Sequence, residues 1–315
     1  MKQTVDIITS AYNEEDCISE LFLRLQAVFK LEKNYQFSLI VIDNGSTDTT
    51  WNKISNFALE NNGVTAISMA KNFSLDAAFT CGLDLASSDL AIIMTSDLQD
   101  PPEQISNLLR KYEEGFDQVL AKITRRDSVP FVRRTLSKLF YRIAGSMTEG
   151  MLPNSVSDFR LVNRKTYEAI RQLRESHRFL RGLSAWVGFK TAIIEVERPP
   201  RFAGDSKWLK VSLGKVVLDA SRSIFAYSSK PLMWLSYFGG ALSFFSLILL
   251  VISATAWILF GVPFAGYGTL VGIISLGFSI TMLAFGIISQ YIGLIYEEVK
   301  QRPIYIISDQ VKSKS

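Results

Sequence analysis

Two polar side chains that could bind a metal ion follow an apolar run near the middle of the first half of the chain. Leu90 to Met94 are all apolar, which predicts a parallel strand buried on both faces. Asp97 and Gln99 come directly after it. Ligands bind at the carboxyl edge of open α/β sheets, and carboxylate and amide oxygens suit Mg²⁺ or Mn²⁺. The segment therefore predicts a divalent-metal site for a diphosphate; a helix cap with a solvated charge is the plainer alternative.

The element that must position these side chains is a mostly parallel sheet. Asp100, before Pro101 and Pro102, is predicted to cap the helix that follows the strand. Strands alternating with helical patterns predict a doubly wound α/β domain. No G-x-G-x-x-G or P-loop motif is present, so metal and basic side chains would have to hold phosphate. The predicted strands are Val5–Thr9, Phe37–Ile42, Thr65–Met69, Leu90–Met94 and Phe116–Ile123.

The second half of the chain contains a long segment without charge. Pro231 to Tyr296 has 66 residues and no Asp, Glu, Lys, Arg or His. This length predicts two transmembrane helices, Leu232–Phe260 and Gly268–Tyr296. Basic residues flank both, so the termini and the catalytic domain are predicted to be cytoplasmic, in a multi-pass inner-membrane protein with the 261–266 connection outside.

The predicted domains are a catalytic domain (1–206), an amphipathic juxtamembrane region (207–230), a transmembrane hairpin (231–296) and a cytoplasmic tail (297–315).

Composition excludes several classes of protein. Two cysteines argue against a disulfide framework, and the single histidine, His177, gives little basis for a His-based zinc site or a Ser-His-Asp triad. Seven Lys or Arg residues, including Arg133, lie between Ala121 and Arg142. They form either a solvated helix face or a surface for lipid headgroups and phosphate. Few aromatic residues lie among them, which disfavours nucleic acid.

Two further polar segments are candidate phosphate sites. Asp158 and Arg160 follow a segment interpreted as a flexible loop, Gly150 to Ser157, and a surface ion pair is the alternative explanation for them. Arg201, Ser206 and Lys207 lie after two prolines, before an amphipathic basic helix predicted at the membrane interface, Leu209 to Phe225.

Seven motifs, in order along the chain, resemble those of the polyprenyl-phosphate glycosyltransferases of glycosyltransferase family 2. Within this group the chain is most similar to the bactoprenol glucosyltransferases, and more distantly to dolichyl-phosphate mannose synthase. The resemblance implies a GT-A fold, a nucleotide-sugar donor, a Mg²⁺ or Mn²⁺ cofactor and a membrane lipid phosphate as acceptor. The motifs are SAYNEE (10–15), IDNGSTDTT (42–50), KNFSLDAAFTCGLDLA (71–86), TSDLQDPPE (95–103), DFRLVNR (158–164), FLRGLSAWVGF (179–189) and RFAGDSK (201–207).

The resemblance also implies roles for individual residues. Asp158 matches the position of the family's proposed catalytic base, and Asp97 and Gln99 match the metal motif. The donor-nucleotide contacts implied are Ser10, Tyr12, Glu14, Asp43, Thr95 and Ser96. The acceptor-phosphate contacts implied are Arg160, Arg201, Ser206, Lys207 and Arg133.

The chain departs from the family pattern in three motifs. Asn44 replaces the second aspartate of D-D-G-S, and Thr95 replaces the first aspartate of D-A-D-L-Q. Ser74, Leu75 and Asp76 stand where glycine, lysine and glutamate are usual. One carboxylate fewer weakens a metal site without abolishing it, because Mg²⁺ also takes phosphate and water oxygens.

The function predicted is inverting transfer of one sugar, from UDP-glucose, to undecaprenyl phosphate at the cytoplasmic membrane face. A synthase using GDP-mannose or another UDP-sugar, and a non-catalytic partner of a lipid flippase that binds nucleotide-sugar, remain open alternatives. A processive polysaccharide synthase is disfavoured because the chain has no Q-x-x-R-W motif and few spans. A homo-oligomer is also left open.

Overall fold

A computed structural model describes residues 2–124, 156–176, 178–203, 230–260 and 266–312. The chain divides into two compact units. One comprises Met1–Ser212 with Gln301–Ser315, and the other comprises Leu213–Lys300.

The first unit is built on an eight-stranded sheet with the order β7-β5-β6-β4-β1-β2-β3-β8. The central strands β4, β1, β2 and β3 are mutually parallel, and β5 is parallel to β7. Strands β6 and β8 run antiparallel to their neighbours. The predicted mostly parallel α/β sheet is therefore confirmed. The strands are β1 Gln3–Ala11, β2 Tyr35–Asp43, β3 Val64–Met69, β4 Leu90–Thr95, β5 Gln118–Ile123, β6 Val156–Asn163, β7 Thr191–Val196 and β8 Ile307–Lys312.

Six α-helices of this unit lie among the described residues, and their apolar faces cover the sheet. In α1, Ile18, Leu21 and Leu25 follow helical spacing and are buried. Helix α3 crosses the sheet closely, since a Cβ placed on Gly82 would lie 2.2 Å from Cγ2 of Ile8. The helices are α1 Ile18–Leu31, α2 Thr50–Glu60, α3 Leu75–Leu85, α4 Ile105–Glu113, α5 Arg164–Gln172 and α6 Leu180–Trp186.

The segment that carries Asp158 and Arg160 is a central strand of the sheet. Val156 and Ser157, which were predicted to end a flexible loop, already belong to this strand. Strand β6 lies between β4 and β5, antiparallel to both. The sequence does not predict this strand because two charged residues interrupt its apolar pattern. In the sheet, both charges are compensated by contacts from other segments of the chain, which the local sequence does not show.

The C-terminal segment, predicted to be a polar tail, contains the edge strand β8. Ile307–Lys312 pairs with β3, and Val311 packs against the core. The hydroxyl of Tyr305 donates a hydrogen bond to Asp84 at 2.9 Å. Residues 307–312 adopt a strand conformation because they pair with β3, and the polar composition of this segment does not predict a strand.

The second unit contains two long helices, α7 Lys230–Phe260 and α8 Tyr267–Val299. Of the helical residues that the structure describes, Leu276–Val299 is long and apolar enough to cross a membrane. A shorter apolar stretch covers Leu232–Leu242. The described part of the chain thus supports one candidate span and leaves the predicted pair of transmembrane helices unconfirmed.

Candidate active site at the carboxyl edge of the sheet

The strand register brings the predicted donor residues to one edge of the sheet. Ser10 is paired with Thr95 across β1 and β4, and Ala11 is paired with Asp43 across β1 and β2. The hydroxyl of Ser96 is buried and donates a hydrogen bond to the Ser10 carbonyl at 2.8 Å. Ser96 therefore holds two strand ends together, and its hydroxyl faces the protein instead of the predicted donor.

The loop after β4 presents Asp97 and Gln99 in a tight turn. Oδ1 of Asp97 accepts hydrogen bonds from Thr95 Oγ1 (2.8 Å) and from the Gln99 N–H (3.2 Å). Leu98 between them has a φ of 60° and a buried side chain. Neither Oδ2 of Asp97 nor the Gln99 side chain has a hydrogen-bond partner among the described residues.

Asp97 and Gln99 fit a divalent cation whose coordination shell is completed by the bound phosphate ligand. The described residues contain no group of three or more His, Cys, Asp or Glu side chains able to form a closed metal cage. Asp97 and Gln99 are partly exposed and offer hard oxygen atoms. Mg²⁺ commonly uses one or two carboxylates together with phosphate oxygens, and this arrangement leaves room for them.

Asp100 does not cap the following helix, so that prediction is wrong. The cap position is Pro101, without a side-chain hydrogen bond. The Asp100 carboxylate is buried and accepts hydrogen bonds from the Thr95 N–H (3.1 Å) and Ser157 Oγ (3.1 Å); it also lies 2.8 Å from Thr95 Oγ1, whose single proton is shared between Asp100 and Asp97. Burial raises its pKa, and Arg198 opposes that shift. Asp100 thus joins the end of β4 to the start of β6.

Asp43 and Asn44 close the edge on the side of β2. Asp43 is buried, which raises its pKa, and it accepts hydrogen bonds from the Ser46 N–H and Ser68 Oγ, each at 3.3 Å. Asn44 accepts from the Phe73 N–H at 2.9 Å. Its amide also donates to the Ser74 carbonyl at 3.4 Å, a contact that an aspartate could not make. Asn44 therefore joins the end of β2 to the residues that lead into α3.

Glu14 and Arg201, predicted to contact donor and acceptor respectively, form an ion pair with each other. Glu14 is buried, and the Arg201 side chain is 15% exposed. Arg201 also donates a hydrogen bond from Nε to the Ala203 carbonyl at 2.8 Å. The negative charge of Asp97 attracts the Arg201 guanidinium electrostatically. This pair places Arg201 near the predicted metal ligand. Tyr12, two residues before Glu14 in the same loop, is partly exposed.

Arg160 is in the interior, which does not fit the prediction that it binds the acceptor phosphate. Its exposed fraction is 1%. Its guanidinium donates to Ser184 Oγ (2.7 Å) and to the carbonyls of Ser157 (3.0 Å), Asp158 (3.0 Å) and Leu180 (3.3 Å). Burial lowers its pKa to about 10, so it stays charged at neutral pH. Arg160 therefore stabilises the packing of β6 against α6 from the protein interior.

Arg181, which the sequence analysis did not assign, is the arginine that reaches Asp158 from outside the sheet. Its Nε lies 3.1 Å from Oδ1 of Asp158, whereas Nη2 of Arg160 lies 3.8 Å away. The side chains of Arg181 and Asp158 are 31% and 19% exposed. The F-L-R-G motif contains this residue, but its pairing with β6 is a tertiary contact that the spacing does not show.

The remaining predicted phosphate contacts, Arg133, Ser206 and Lys207, lie outside the described residues, as do His177, the amphipathic helix 209–225 and almost all of the basic run. Among the residues that are described, the structure brings Asp97, Arg201 and Glu14 to one side of the edge and Asp158, Arg160 and Arg181 to the start of β6.

A mostly parallel sheet with polar loops at its carboxyl edge and an antiparallel strand beside β4 defines a GT-A type fold. Residues 6–171 match Glycosyl transferase family 2. The chain belongs to this family, and it is a glycosyltransferase.

Several relatives match over nearly their whole length. An uncharacterized glycosyltransferase of Synechocystis sp. is 37% identical, over 97% of this chain and 95% of its own. The SfII prophage-derived bactoprenol glucosyl transferase of Shigella flexneri is 33% identical, over 96% and 97%. A prophage bactoprenol glucosyl transferase homolog of Escherichia coli is 34% identical, over 96% and 98%.

The fold is also similar to that of glucosyl-3-phosphoglycerate synthase from Mycobacterium tuberculosis, solved in complex with Mn²⁺, UDP and phosphoglyceric acid. The TM-score is 0.51 at 15% identity, over 71% of this chain and 76% of that one. At this identity the similarity concerns the fold alone.

The different burial of Arg160 and Arg181 predicts different effects of removing each one. Arg160→Ala leaves buried carbonyls and the Ser184 hydroxyl without their partner and removes one of the two arginines beside Asp158, so we expect a loss of about 3–5 kcal/mol in the free energy of unfolding. Arg181→Ala removes a more exposed partner of the same carboxylate, and we expect a loss of about 1 kcal/mol. Denaturant unfolding of the purified variants measures both; equal losses would contradict the structural role assigned to Arg160.

Proposed function

We propose that the protein transfers one glucosyl group from UDP-glucose to undecaprenyl phosphate, with inversion, at the cytoplasmic face of the membrane. The observation that carries this proposal is the near full-length similarity to relatives named bactoprenol glucosyl transferase. Bactoprenol is the undecaprenyl lipid carrier. Each side of the edge carries carboxylates and an arginine, Arg201 on one side and Arg181 on the other. Two separate cationic groups support the binding of two anionic substrates.

The donor occupies the side of the edge formed by β1, β2 and the loop after β4. Asp97 and Gln99 hold a Mg²⁺ or Mn²⁺ ion, which when bound stabilises the charge on the departing nucleoside diphosphate. Ser10, Tyr12, Asp43 and Thr95 line the nucleotide side. Arg201 adds a positive charge next to Asp97, and Glu14 fixes its position.

The acceptor occupies the side formed by β6 and α6. Asp158 and Arg181 are its partly exposed charged pair, and arginine suits the oxygens of a phosphate. An acceptor phosphate oxygen attacks C1 of the sugar, and the bond from C1 to the diphosphate oxygen breaks on the opposite side. The product of an α-linked donor is then a β-linked lipid phosphate. Arg133, Ser206 and Lys207 are further proposed contacts of the acceptor phosphate, and we propose that Arg201 reaches the same phosphate from the donor side of the edge.

Asp158 aligns the acceptor instead of acting mainly as a base. A phosphate monoester has its second pKa near 6, so at neutral pH it is largely a dianion and gains little from losing a proton. The contact between Asp158 and Arg181 supports an aligning role, because it fixes the carboxylate beside a cation that can hold the phosphate.

The membrane arrangement proposed is a hairpin of two spans with both termini in the cytoplasm. The candidate span Leu276–Val299 and the apolar stretch Leu232–Leu242 support it, together with the uncharged segment between residues 231 and 296. Basic residues on both flanks favour cytoplasmic ends.

The test of this function is transfer of labelled sugar into an organic-extractable lipid. The purified full-length protein is given undecaprenyl phosphate and, separately, UDP-glucose, other UDP-sugars and GDP-mannose. We expect transfer from UDP-glucose to exceed that from the other donors by at least about tenfold. Stronger transfer from another donor would refute the sugar, and no transfer from any donor would refute the reaction.

Asp97→Asn should lower turnover by about 10²–10³-fold at limiting Mg²⁺ or Mn²⁺, because it removes the principal carboxylate from the metal. Raising the metal concentration should recover part of this loss. Asp89→Asn, the same change beside the other end of β4, is the matched control and should keep normal turnover. Near-normal turnover of Asp97→Asn at limiting metal would show that the ligand is elsewhere.

Asp158→Asn keeps the shape of the side chain and an oxygen for Arg181, but removes the base. If the carboxylate mainly aligns the acceptor and removes its remaining proton only at lower pH, the deficit in turnover should shrink as the pH rises from about 6 to 8, because at higher pH the acceptor has already lost that proton. The measurement is turnover of both proteins at saturating substrates across this range. A large deficit that stays constant with pH would indicate an obligatory charged carboxylate.

A cysteine at Ala265 should react with an impermeant thiol reagent added outside intact cells if the hairpin connection is external. Both natural cysteines, Cys17 and Cys81, are buried and are replaced in the background protein to remove residual labelling. A cysteine at Ser313 is the control and should react only after the cells are permeabilised. Labelling of Ser313→Cys but not Ala265→Cys in intact cells would invert the topology.

A further inference from the structure

Asp76 is a carboxylate in the first turn of α3 that faces the acceptor side of the site. Its Oδ1 accepts a hydrogen bond from the Leu180 N–H at 2.9 Å. Leu180 begins α6 and precedes Arg181 directly. Asp76 therefore joins α3 to the start of the helix that carries Arg181, across 104 residues of sequence.

The charged groups that act on Asp76 come from the two elements next to it. Strand β6 supplies Asp158 and Arg160, and α6 supplies Arg181. Oδ1 of Asp158 is 3.1 Å from Nε of Arg181 and 3.8 Å from Nη2 of Arg160. Two carboxylates and two guanidiniums thus share one partly enclosed space, which we call the Asp76 cluster.

The ionisation of Asp76 sets the net charge of this cluster. With both carboxylates ionised the four side chains sum to zero, and with Asp76 protonated they sum to +1. A phosphate dianion next to Arg181 would repel an ionised Asp76 and favour its protonated form. Binding of the phosphate and protonation of Asp76 must therefore strengthen each other by the same factor.

We propose that Asp76 is a positioning residue for the acceptor, which fixes the start of α6 beside Asp158 and takes up a proton when the acceptor phosphate binds. This inference rests on the proposed function, since it requires a phosphate-bearing acceptor at this side of the site. The proton comes from the solvent and adds to the Asp76 carboxylate; no other covalent bond changes.

The proton affinity of Asp76 suits this role. Burial, and then the charge of Asp158, raise the pKa of Asp76 to about 6, while the Leu180 N–H and the two arginines limit the shift. Ionised Asp76 therefore predominates in the free enzyme at neutral pH, yet its protonated form is close enough in energy for a bound dianion to stabilise it. An aspartate with an ordinary pKa near 4 would require a much larger interaction.

The test compares the acceptor KM of the wild type and of Asp76→Asn between pH 6 and pH 8. Asparagine keeps an oxygen for the Leu180 N–H and stays neutral at every pH. The ratio of wild-type KM to variant KM cancels the acceptor's own titration, and we expect it to rise about tenfold over this range. Asp84→Asn, on the same helix but bonded to Arg174 and Tyr305, is the control, and its ratio should stay flat.

A second measurement uses the wild type alone, so the proposal can be tested even if the variant fails to fold. Calorimetry of polyprenyl phosphate binding at pH 7.5, in two buffers of different ionisation enthalpy, gives the number of protons exchanged. Uptake of protons is expected, whereas an acceptor that sheds its last proton in a cationic site would release them. Release, or a flat KM ratio for a folded Asp76→Asn, would overturn the role of Asp76.

These outcomes separate the two proposals. A wild type that transfers no sugar to polyprenyl phosphate refutes the proposed function before Asp76 is considered. A wild type that transfers sugar, but whose KM ratio is flat or which releases protons, leaves the function intact and refutes only the inference about Asp76.

Discussion

The buried guanidinium of Arg160 is the interaction on which the rest of the site depends. A charge removed from water costs several kcal/mol unless hydrogen bonds and counter-charges compensate for it. Here the compensation comes from Ser157, Asp158, Leu180 and Ser184, which lie on two elements more than 15 residues apart. Satisfying one buried cation therefore fixes β6 and α6 relative to each other, and with them Asp158 and Arg181.

A buried carboxylate performs the corresponding task at the neighbouring strand. Asp100 binds the backbone and side chain of Thr95 and the hydroxyl of Ser157. The loop that carries Asp97 is thus anchored to the strand that carries Asp158. Because both anchors use buried, hydrogen-bonded charges, the spacing between Asp97 and Asp158 is fixed through β4 and β6, and the function proposed for the site requires such a fixed spacing for in-line transfer.

The departures from the family's motifs have structural counterparts. Asn44 uses both its carbonyl and its amide group to join the end of β2 to the residues that lead into α3, and an aspartate could supply only the first. The Thr95 hydroxyl lies 2.8 Å from both Asp97 and Asp100, and its single proton, shared between these two carboxylates, helps to orient the one proposed for the metal. Asp76 stands where glutamate is usual and still reaches Leu180. Each of these three residues takes part in the hydrogen bonding at this edge of the sheet.

The sequence by itself determined the four central strands β1 to β4, their alternation with helices, and the polar loops at their carboxyl ends. Those features are local: apolar runs, helical spacing and turn residues are written in neighbouring positions. Through motifs in a recognisable order it also predicts one site with Asp97, Asp43 and Asp158, and the roles of these residues stay predictions.

Only the tertiary structure decided what depends on distant partners. Strand β6 forms because it pairs with β4 and β5, and strand β8 forms because it pairs with β3. Their own polar or interrupted sequences do not predict a strand. Arg160 and Arg181 look equivalent in the sequence, yet the fold buries one and leaves the other partly exposed beside the same carboxylate. The partners of Asp76 and Asp100 likewise follow from the fold, because the state and the partners of an ionisable group depend on its surroundings in space and not along the chain.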